Sequence, residues 1–449
     1  MTAGGRRSRT ADRRSAERKV GWARLWARAK QIVTTDPTGS DEDDRVADGE
    51  AARVLADSAG RLKGGLAKVA QLAAYDPGAA IGGGRGATAQ ARAVLGGLWD
   101  QAPAVSGDAV AGVVEADLGR PPEALFASWD PVPLAAASLG QVHAATLDDG
   151  TPVVVKVQYP GVAEALRADL DDAGFVRKLA GSEIGRTLDA LALRTLGDAV
   201  RGELDYRAEA QSIARFAAAW RDHPVLRFPR VIEERSSARV LTMTRARGRT
   251  VVETAHAASA EVRRQAAMGI YAFAWGSPLV HGLLNADPNP GNFLIDEARD
   301  GEVTVWCLDF GCALELPEAA READREIWWG LIEEDRELAA ERFRMAIARA
   351  GLLRRVDALA STAHRDWERA LAAPLATHGE FAWTAKYAGQ LAEATGRALG
   401  AGGLALPADV LLLWRQRLGA AAVIGMLDAR APFRRVLVEL IGTGRKALR

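Results

Sequence analysis

The stretch NADPNPGNFL, residues 285–294, decides how this chain is read. Asp287 is followed five residues later by Asn292, beside a short apolar run. D-x-x-x-x-N is the spacing with which phosphoryl-transfer loops set a base and a metal ligand on one turn. The His-Arg-Asp that commonly introduces such a loop is absent. Two prolines and a glycine make an ordinary turn an equal reading of these ten residues taken alone.

The surroundings separate the two readings. Downstream, VTVWCLDFGC (303–312) is an apolar strand ending in Asp309-Phe310-Gly311. FLID, a polar turn and this strand predict a hairpin that brings Asn292 and Asp309 together as oxygen ligands for Mg²⁺, a hard cation. Upstream, PVVVKV (152–157) is an apolar strand carrying Lys156, a buried lysine that needs an anionic partner. ELDYRAEAQSIARF (203–216) reads as helix and offers Glu209 as that partner. Asp205 shares the Glu209 face, and Glu203 is rotated away. Each signal alone is weak, since edge lysines and solvated acids are common. Four in this order supply what phosphoryl transfer asks of a protein: a cation for the α/β-phosphates, metal ligands, and Asp287 aimed at the attacking oxygen.

Composition sets the frame. The 449 residues allow two or three domain-sized units, and 48% apolar content suits a globular core. The formal net charge of zero gives no global field for nucleic acid, and none is expected as a partner. Two cysteines, Cys307 and Cys312, fit neither a zinc site nor a disulfide framework and read as reduced thiols of a cytoplasmic protein. No apolar signal segment is visible at the N-terminus. The stretch LALPADVLLLWRQRLGAAAVIGML (404–427) is cut by Asp409, Arg415 and Arg417 into pieces shorter than the roughly 18 apolar residues of a span, and reads as buried helices.

Along the chain, residues 1–45 form a basic tail, an amphipathic helix and an acidic linker. The helix sets Trp22, Leu25 and Trp26 on one face with basic residues elsewhere, which suits either an anionic bilayer or docking on the protein itself. Residues 46–125 are helical apart from a Gly-rich break, GAAIGGGRGA, that lacks the GK[ST] ending of a phosphate loop. Residues 126–250 hold the strands, with an Asp149-Gly150 hairpin turn and a second strand pair turning near Ser236-Ser237. Residues 251–449 are mainly helical. This predicts an α+β, kinase-like two-lobe fold: a small β-sheet lobe, a helical lobe and an N-terminal helical extension.

Several departures from a protein kinase are visible. Where a Gly-rich loop should cover the phosphates, LAAASLGQVH places Ala135, Ala136, Ala137 and Ser138, whose side chains limit φ and close backbone approach to nucleotide. After Asp309-Phe310-Gly311 the chain turns directly toward helix, with no peptide-docking segment. A literal His-Arg-Asp at 364–366 lies beyond that motif in a helical pattern and reads as helix surface.

Taken together, these motifs resemble the UbiB-like, or AarF/ABC-one, family of atypical kinases, over roughly residues 50–440. LKGGLAKVAQ is similar to the family's KxGQ motif, with Lys68 and Gln71 in the named positions and Ala70 in place of its glycine. PLAAASLGQVH resembles its alanine-rich loop, VVVKVQYPGV its strand-lysine motif, and ELDYRAEA its ExD motif at Glu203 and Asp205. NADPNPGNFL is similar to its H-A-D-P-H-P-G-N loop, with Asn285 and Asn289 replacing both histidines. The resemblance implies Mg²⁺-dependent binding of ATP or ADP, and ATP hydrolysis or an unorthodox phosphotransfer. It also implies gating by Lys68, Gln71, Glu203 and Asp205, and an association with quinone lipid metabolism and membranes. A nucleotide-switched pseudokinase serving as a scaffold or lipid chaperone is the alternative. A small-molecule phosphotransferase of the aminoglycoside-kinase type is a weaker one.

Overall fold

The computed structural model describes residues 106–137, 139–164, 202, 204–352, 361–404 and 408–446. The Trp22/Trp26 segment, the stretch with Lys68, Ala70 and Gln71, and positions Ser138 and Glu203 lie outside the described residues. In chain order the described part begins with α1 (Gly107–Leu118) and a short helical turn, Pro122–Leu125, followed by β1 (Ser128–Ala137), β2 (Gly140–Thr146), β3 (Pro152–Gln158), α2 (Tyr206–Ala219), β4 (Leu226–Arg227) and β5 (Val240–Thr244). Strands β1, β2, β3 and β5 form an antiparallel sheet in that order.

Alternation along β3 sorts its side chains by face. Val153, Val155 and Val157 are fully buried in one cluster with Val110, Val113 and Val114 of α1. Lys156 points the other way, toward α2. The β2–β3 hairpin turns at Asp149-Gly150 as the sequence predicts: Gly150 adopts φ +82° and Asp149 Oδ1 accepts from Thr151 N. At the opposite end of the hairpin, a Cβ on Gly140 would lie 2.0 Å from the Val157 carbonyl oxygen, so only glycine fits.

The expected second strand pair is reduced to β5 and one isolated bridge, Val231 to Met243. Local side-chain bonding is the reason. Ser236 Oγ accepts from Thr242 N and Ser237 Oγ from Val240 N, so the turn serines take donors a second strand would use, and Glu233–Arg235 closes as a 3₁₀ turn.

The helical part begins with β6 (Arg249–Thr250), α3 (Val251–Ala257) and α4 (Ala260–Tyr271), which runs into a π-helical stretch, Ala272–His281. Then come β7 (Leu283–Asn285), β8 (Phe293–Glu297), β9 (Val303–Cys307) and β10 (Ala313–Glu315). Strands β8 and β9 form the predicted hairpin inside the sheet β4-β9-β8-β6, while β10 pairs with β7. Helices α5 (Glu318–Leu331), α6 (Arg336–Arg349) and α7 (Thr362–Ala372) follow, then β11 (Phe381–Trp383), α8 (Ala385–Gly400), α9 (Ala408–Leu427), β12 (Ala429–Ala431) and α10 (Phe433–Lys446). The literal His-Arg-Asp sits in α7, but the surface reading holds for Arg365 and fails for His364. That residue is 2% exposed, because it belongs to the buried stripe His364, Trp367, Leu371.

Within the stretch 404–427, Ala408–Leu427 is one long helix, α9. It is apolar and long enough to cross a bilayer, yet 83% of Val410–Leu427 is buried inside the fold. Two features seat it. Arg417, 1% exposed, makes two 2.5 Å hydrogen bonds to Asp324 of α5, with its guanidinium 4.8 Å from the Trp328 ring. Gly419 faces Pro288, where a Cβ would fall 2.1 Å from Pro288 Cγ.

Asp324→Ala should therefore strand a buried guanidinium and lower stability by about 3–5 kcal/mol, read as a fall in the urea midpoint. Gly419→Ala should displace the 285–292 loop, cost about 1–3 kcal/mol, and speed amide exchange in that loop ahead of the rest of the chain. Unaltered loop exchange would contradict the close packing.

Candidate functional site

Four segments converge. Strand β3 delivers Lys156. Helix α2 delivers Glu209, because its buried stripe Tyr206, Glu209, Ile213, Phe216 follows the helical period. The β7–β8 connection carries Asp287 and Asn292. The turn after β9 carries Asp309.

Lys156 is the hub. Its Nζ lies 2.9 and 3.0 Å from the two Glu209 carboxylate oxygens and 3.2 Å from Asp309 Oδ2. It also stands over the Tyr206 ring at 5.1 Å. Burial pulls the lysine pKa down, but the Asp309 and Glu209 carboxylates overcome this and hold it well above its ordinary value. Burial lifts Glu209 to about 7, against Lys156, while the nearby Asp309 charge adds to the rise. The ammonium is thus held in its charged form between two carboxylates.

Phe310 explains how Asp309 reaches the lysine. It is 1% exposed and packs on Phe216 of α2 at 4.8 Å between ring centroids, with Phe228 and Phe273 around it. Seating this ring under α2 turns Asp309 toward β3. Gly311 N then donates to Asp309 Oδ1 at 3.0 Å, fixing the carboxylate.

The loop is held by its own amides. Asn292 Nδ2 donates to the Asp287 carbonyl at 2.9 Å, and Leu308 N donates to the Asn292 carbonyl at 3.0 Å, which ties the loop to the end of β9. Asn285 bridges the two halves: Nδ2 donates to the Asp309 carbonyl at 2.8 Å, and Oδ1 accepts from Asp287 N at 3.4 Å. A neutral amide performs this double contact without charge. Asn289 has a different task. Its Oδ1 accepts from Gly291 N and caps the 3₁₀ turn Pro290–Asn292.

Of the residues expected at the site, Lys156, Glu209, Asp287, Asn292 and Asp309 come together. Ala135 lies in register with Val142, which is opposite Lys156, so the row Ala135–Val142–Lys156 crosses the sheet. Ala136 and Ala137 continue β1 toward the turn, so the alanines are strand rather than free loop. Asp205 does not share a working face with Glu209. It is exposed and serves as the N-cap of α2, accepting from Arg207 N at 3.0 Å. Glu203, Lys68, Gln71 and Ser138 lie outside the described residues.

Sequence reasoning missed the floor of the site. Gln416 of α9, 1% exposed, accepts from Asn285 N at 2.7 Å and donates to the Ala274 carbonyl at 2.6 Å. Arg415, 7% exposed, brings Nη2 to 3.6 Å from Asp287 Oδ1. The signal was present as Arg415-Gln416-Arg417, three polar residues inside an apolar helix, but it served only to argue against a membrane span.

The donor set fits a hard divalent cation. Asn292 and Asp309 line one pocket with Asp287 and Gln416. Donation by Asn292 Nδ2 to the Asp287 carbonyl leaves Oδ1 as the free acceptor of that amide. Among the described residues no group of three His, Cys, Asp or Glu side chains could hold a metal. Two oxygen ligands, completed by water and phosphate oxygens, is the coordination Mg²⁺ takes beside nucleotides.

Comparison with known proteins identifies the family and the fold. Residues 97–343 match the profile of the ABC1 atypical kinase-like domain. The chain is 34% identical over 225 residues to a rat protein named atypical kinase COQ8B, mitochondrial, covering 48% of this chain and 42% of that one. It is 33% identical over 212 residues to the yeast atypical kinase COQ8, mitochondrial, covering 46% and 40%. It is 30% identical over 222 residues to the probable protein kinase UbiB of Marinobacter nauticus, covering 48% and 40%. These matches span less than half the length of each relative. A solved structure of Rv3197 with erythromycin, from Mycobacterium tuberculosis, superposes with a TM-score of 0.59 at 27% identity, covering 90% of this chain and all of that one. Sheet, helical lobe, converging site and matched profile together place the chain in the ABC1 atypical kinase-like family, the AarF/UbiB kinases, with their kinase-like α+β fold.

Proposed function

We propose that this chain binds Mg²⁺-nucleotide and acts as an ATPase or atypical phosphotransferase of the UbiB type. The observation that carries the reading is the hub at Lys156, where one buried ammonium is shared between Glu209 and Asp309. Two carboxylates against one ammonium leave negative charge over, which suits a site for a further cation. Here Asp309 also has a fixed amide donor and a neighbouring Asn292, as a ligand set requires.

In this reading Lys156 contacts the α/β-phosphates and Glu209 orients it. Asn292 and Asp309 would hold Mg²⁺, which would supply positive charge against the phosphates. Asp287 orients the acceptor hydroxyl or water and takes its proton. Ala135, Ala136, Ala137 and Ser138 cover the nucleotide, and Lys68, Gln71, Glu203 and Asp205 act as the gate.

The second ligand is proposed to be a small, lipid- or quinone-linked molecule rather than a peptide. From Gly311 the chain reaches α5 at Glu318 through β10 alone, too short a path for a peptide platform. The solved relative was captured with a small molecule, erythromycin. Family membership supports the quinone link; the cytoplasmic location, and a membrane contact through Trp22 and Trp26, are proposed from the sequence alone. The switch alternative has one observation in its favour, since Asp287 already faces a buried cation at 3.6 Å.

Asp309→Asn should abolish the thermal stabilisation that Mg²⁺-ATP gives the wild type, about 2.7 kcal/mol at a hundredfold excess over Kd. An undiminished shift would remove the metal assignment. Asp287→Asn should keep nucleotide binding and lower steady-state phosphate release by about 10²–10⁴-fold. Release equal to wild type would favour the nucleotide switch.

A further inference from the structure

Arg415 is not accounted for by packing. It is 7% exposed, and its Nε and Nη2 are buried without a hydrogen-bond partner. Its nearest opposite charge, Asp287 Oδ1, is 3.6 Å from Nη2, an ion-pair distance that is too long for a hydrogen bond. Buried N–H groups left unpaired are costly, more so on a charged group. Arg417, two residues along the same helix, is the internal comparison. It spends both terminal nitrogens on Asp324.

Arg415 is also held still. Gln416 beside it is fixed to Asn285 N and the Ala274 carbonyl, and Gly419 one turn later abuts Pro288. The guanidinium is therefore presented to the loop by a helix that cannot readily withdraw. The loop itself has no cation: residues 282–298 contain neither lysine nor arginine. Lys156 pairs with Glu209 and Asp309 and, in the nucleotide reading, serves the α/β-phosphates rather than the terminal one. A phosphoryl group transferred at Asp287 carries negative charge on three equatorial oxygens, and among the described residues Arg415 is the cation that reaches Asp287.

We infer that Arg415 is a catalytic residue that receives an oxygen of the terminal phosphoryl group of a nucleoside triphosphate as that group is transferred beside Asp287. The inference rests on the nucleotide reading above. In the step, the acceptor oxygen bonds to phosphorus while the bond from phosphorus to the bridging oxygen breaks. The diphosphate leaves with that electron pair, and the acceptor proton passes to Asp287. Arg415 makes and breaks no covalent bond. It neutralises the oxygens between the attacking and leaving atoms, and its planar fork of donors suits two of them. A role as mere counter-ion to Asp287 predicts no preference for a third phosphate.

The test uses the whole chain with Mg²⁺ and two probes, ADP and β,γ-imido-ATP, read as thermal shifts, together with phosphate release from ATP. In the wild type the imido-ATP shift should exceed the ADP shift. Arg415→Met should keep the ADP shift, lose the excess, and lower release by about 10²–10³-fold. Arg415→Lys, which keeps a charge and guards against misfolding of the first variant, should recover only part of both because it lacks the fork. Retention of the excess in Arg415→Met would overturn the inference, as would equal shifts for the two nucleotides in the wild type. If neither nucleotide shifts the wild type, the nucleotide reading falls as well. A wild-type shift with an indifferent Arg415→Met removes this inference alone.

Discussion

One buried ammonium organises the site. Lys156 cannot remain charged inside the fold without opposite charge nearby, and the two carboxylates that supply it come from positions 53 and 153 residues away in sequence. Holding them there fixes the approach of α2 to the sheet and the course of the chain after β9. Glu209 arrives on a helix whose other buried residues are apolar, so its placement follows from ordinary helix packing. Asp309 arrives because Phe310 has an aromatic cavity to fill under that helix. Electrostatics and packing thus set the same geometry.

The second organising element is α9, which is apolar enough to look like a membrane helix and instead lines the underside of the loop. Its polar residues divide the work. Arg417 anchors the helix to α5, Gln416 ties the loop to the π-helical stretch, and Arg415 faces Asp287. A small residue at Gly419 lets helix and loop touch. Buried polar groups of this kind specify one arrangement, because each must find its partner or remain unsatisfied.

Much of this was legible in the sequence for physical reasons. The alternation in PVVVKV shows that Lys156 lies on the face opposite the buried valines, and the helical period of 203–216 puts Glu209 on a buried stripe. The hairpin between Asn292 and Asp309 follows from two apolar runs and a polar turn. The misses share a cause. Asp205 sits at a helix end, where the pull of unsatisfied amides outweighs the face it would occupy further in. The turn at Ser236-Ser237 was read from propensity, while its hydroxyls bond locally and shorten the ladder. Arg415 and Gln416 act across more than a hundred residues, and no local pattern reports which loop a buried helix will meet.

The distance along the chain between loop and floor has a consequence for how the protein is made. Gln416 bonds to Asn285 across 131 residues and to Ala274 across 142. At roughly 5–20 residues per second, a ribosome needs several seconds or more to add that interval after the loop has emerged. Over that time the strand lysine, its glutamate and the aspartate after β9 can already assemble, while Asn285 and Asp287 have nothing beneath them. The cluster is therefore completed last, by the C-terminal part of the chain, and a nascent chain stopped short of α9 lacks the Gln416 and Arg415 contacts that set the 285–292 loop.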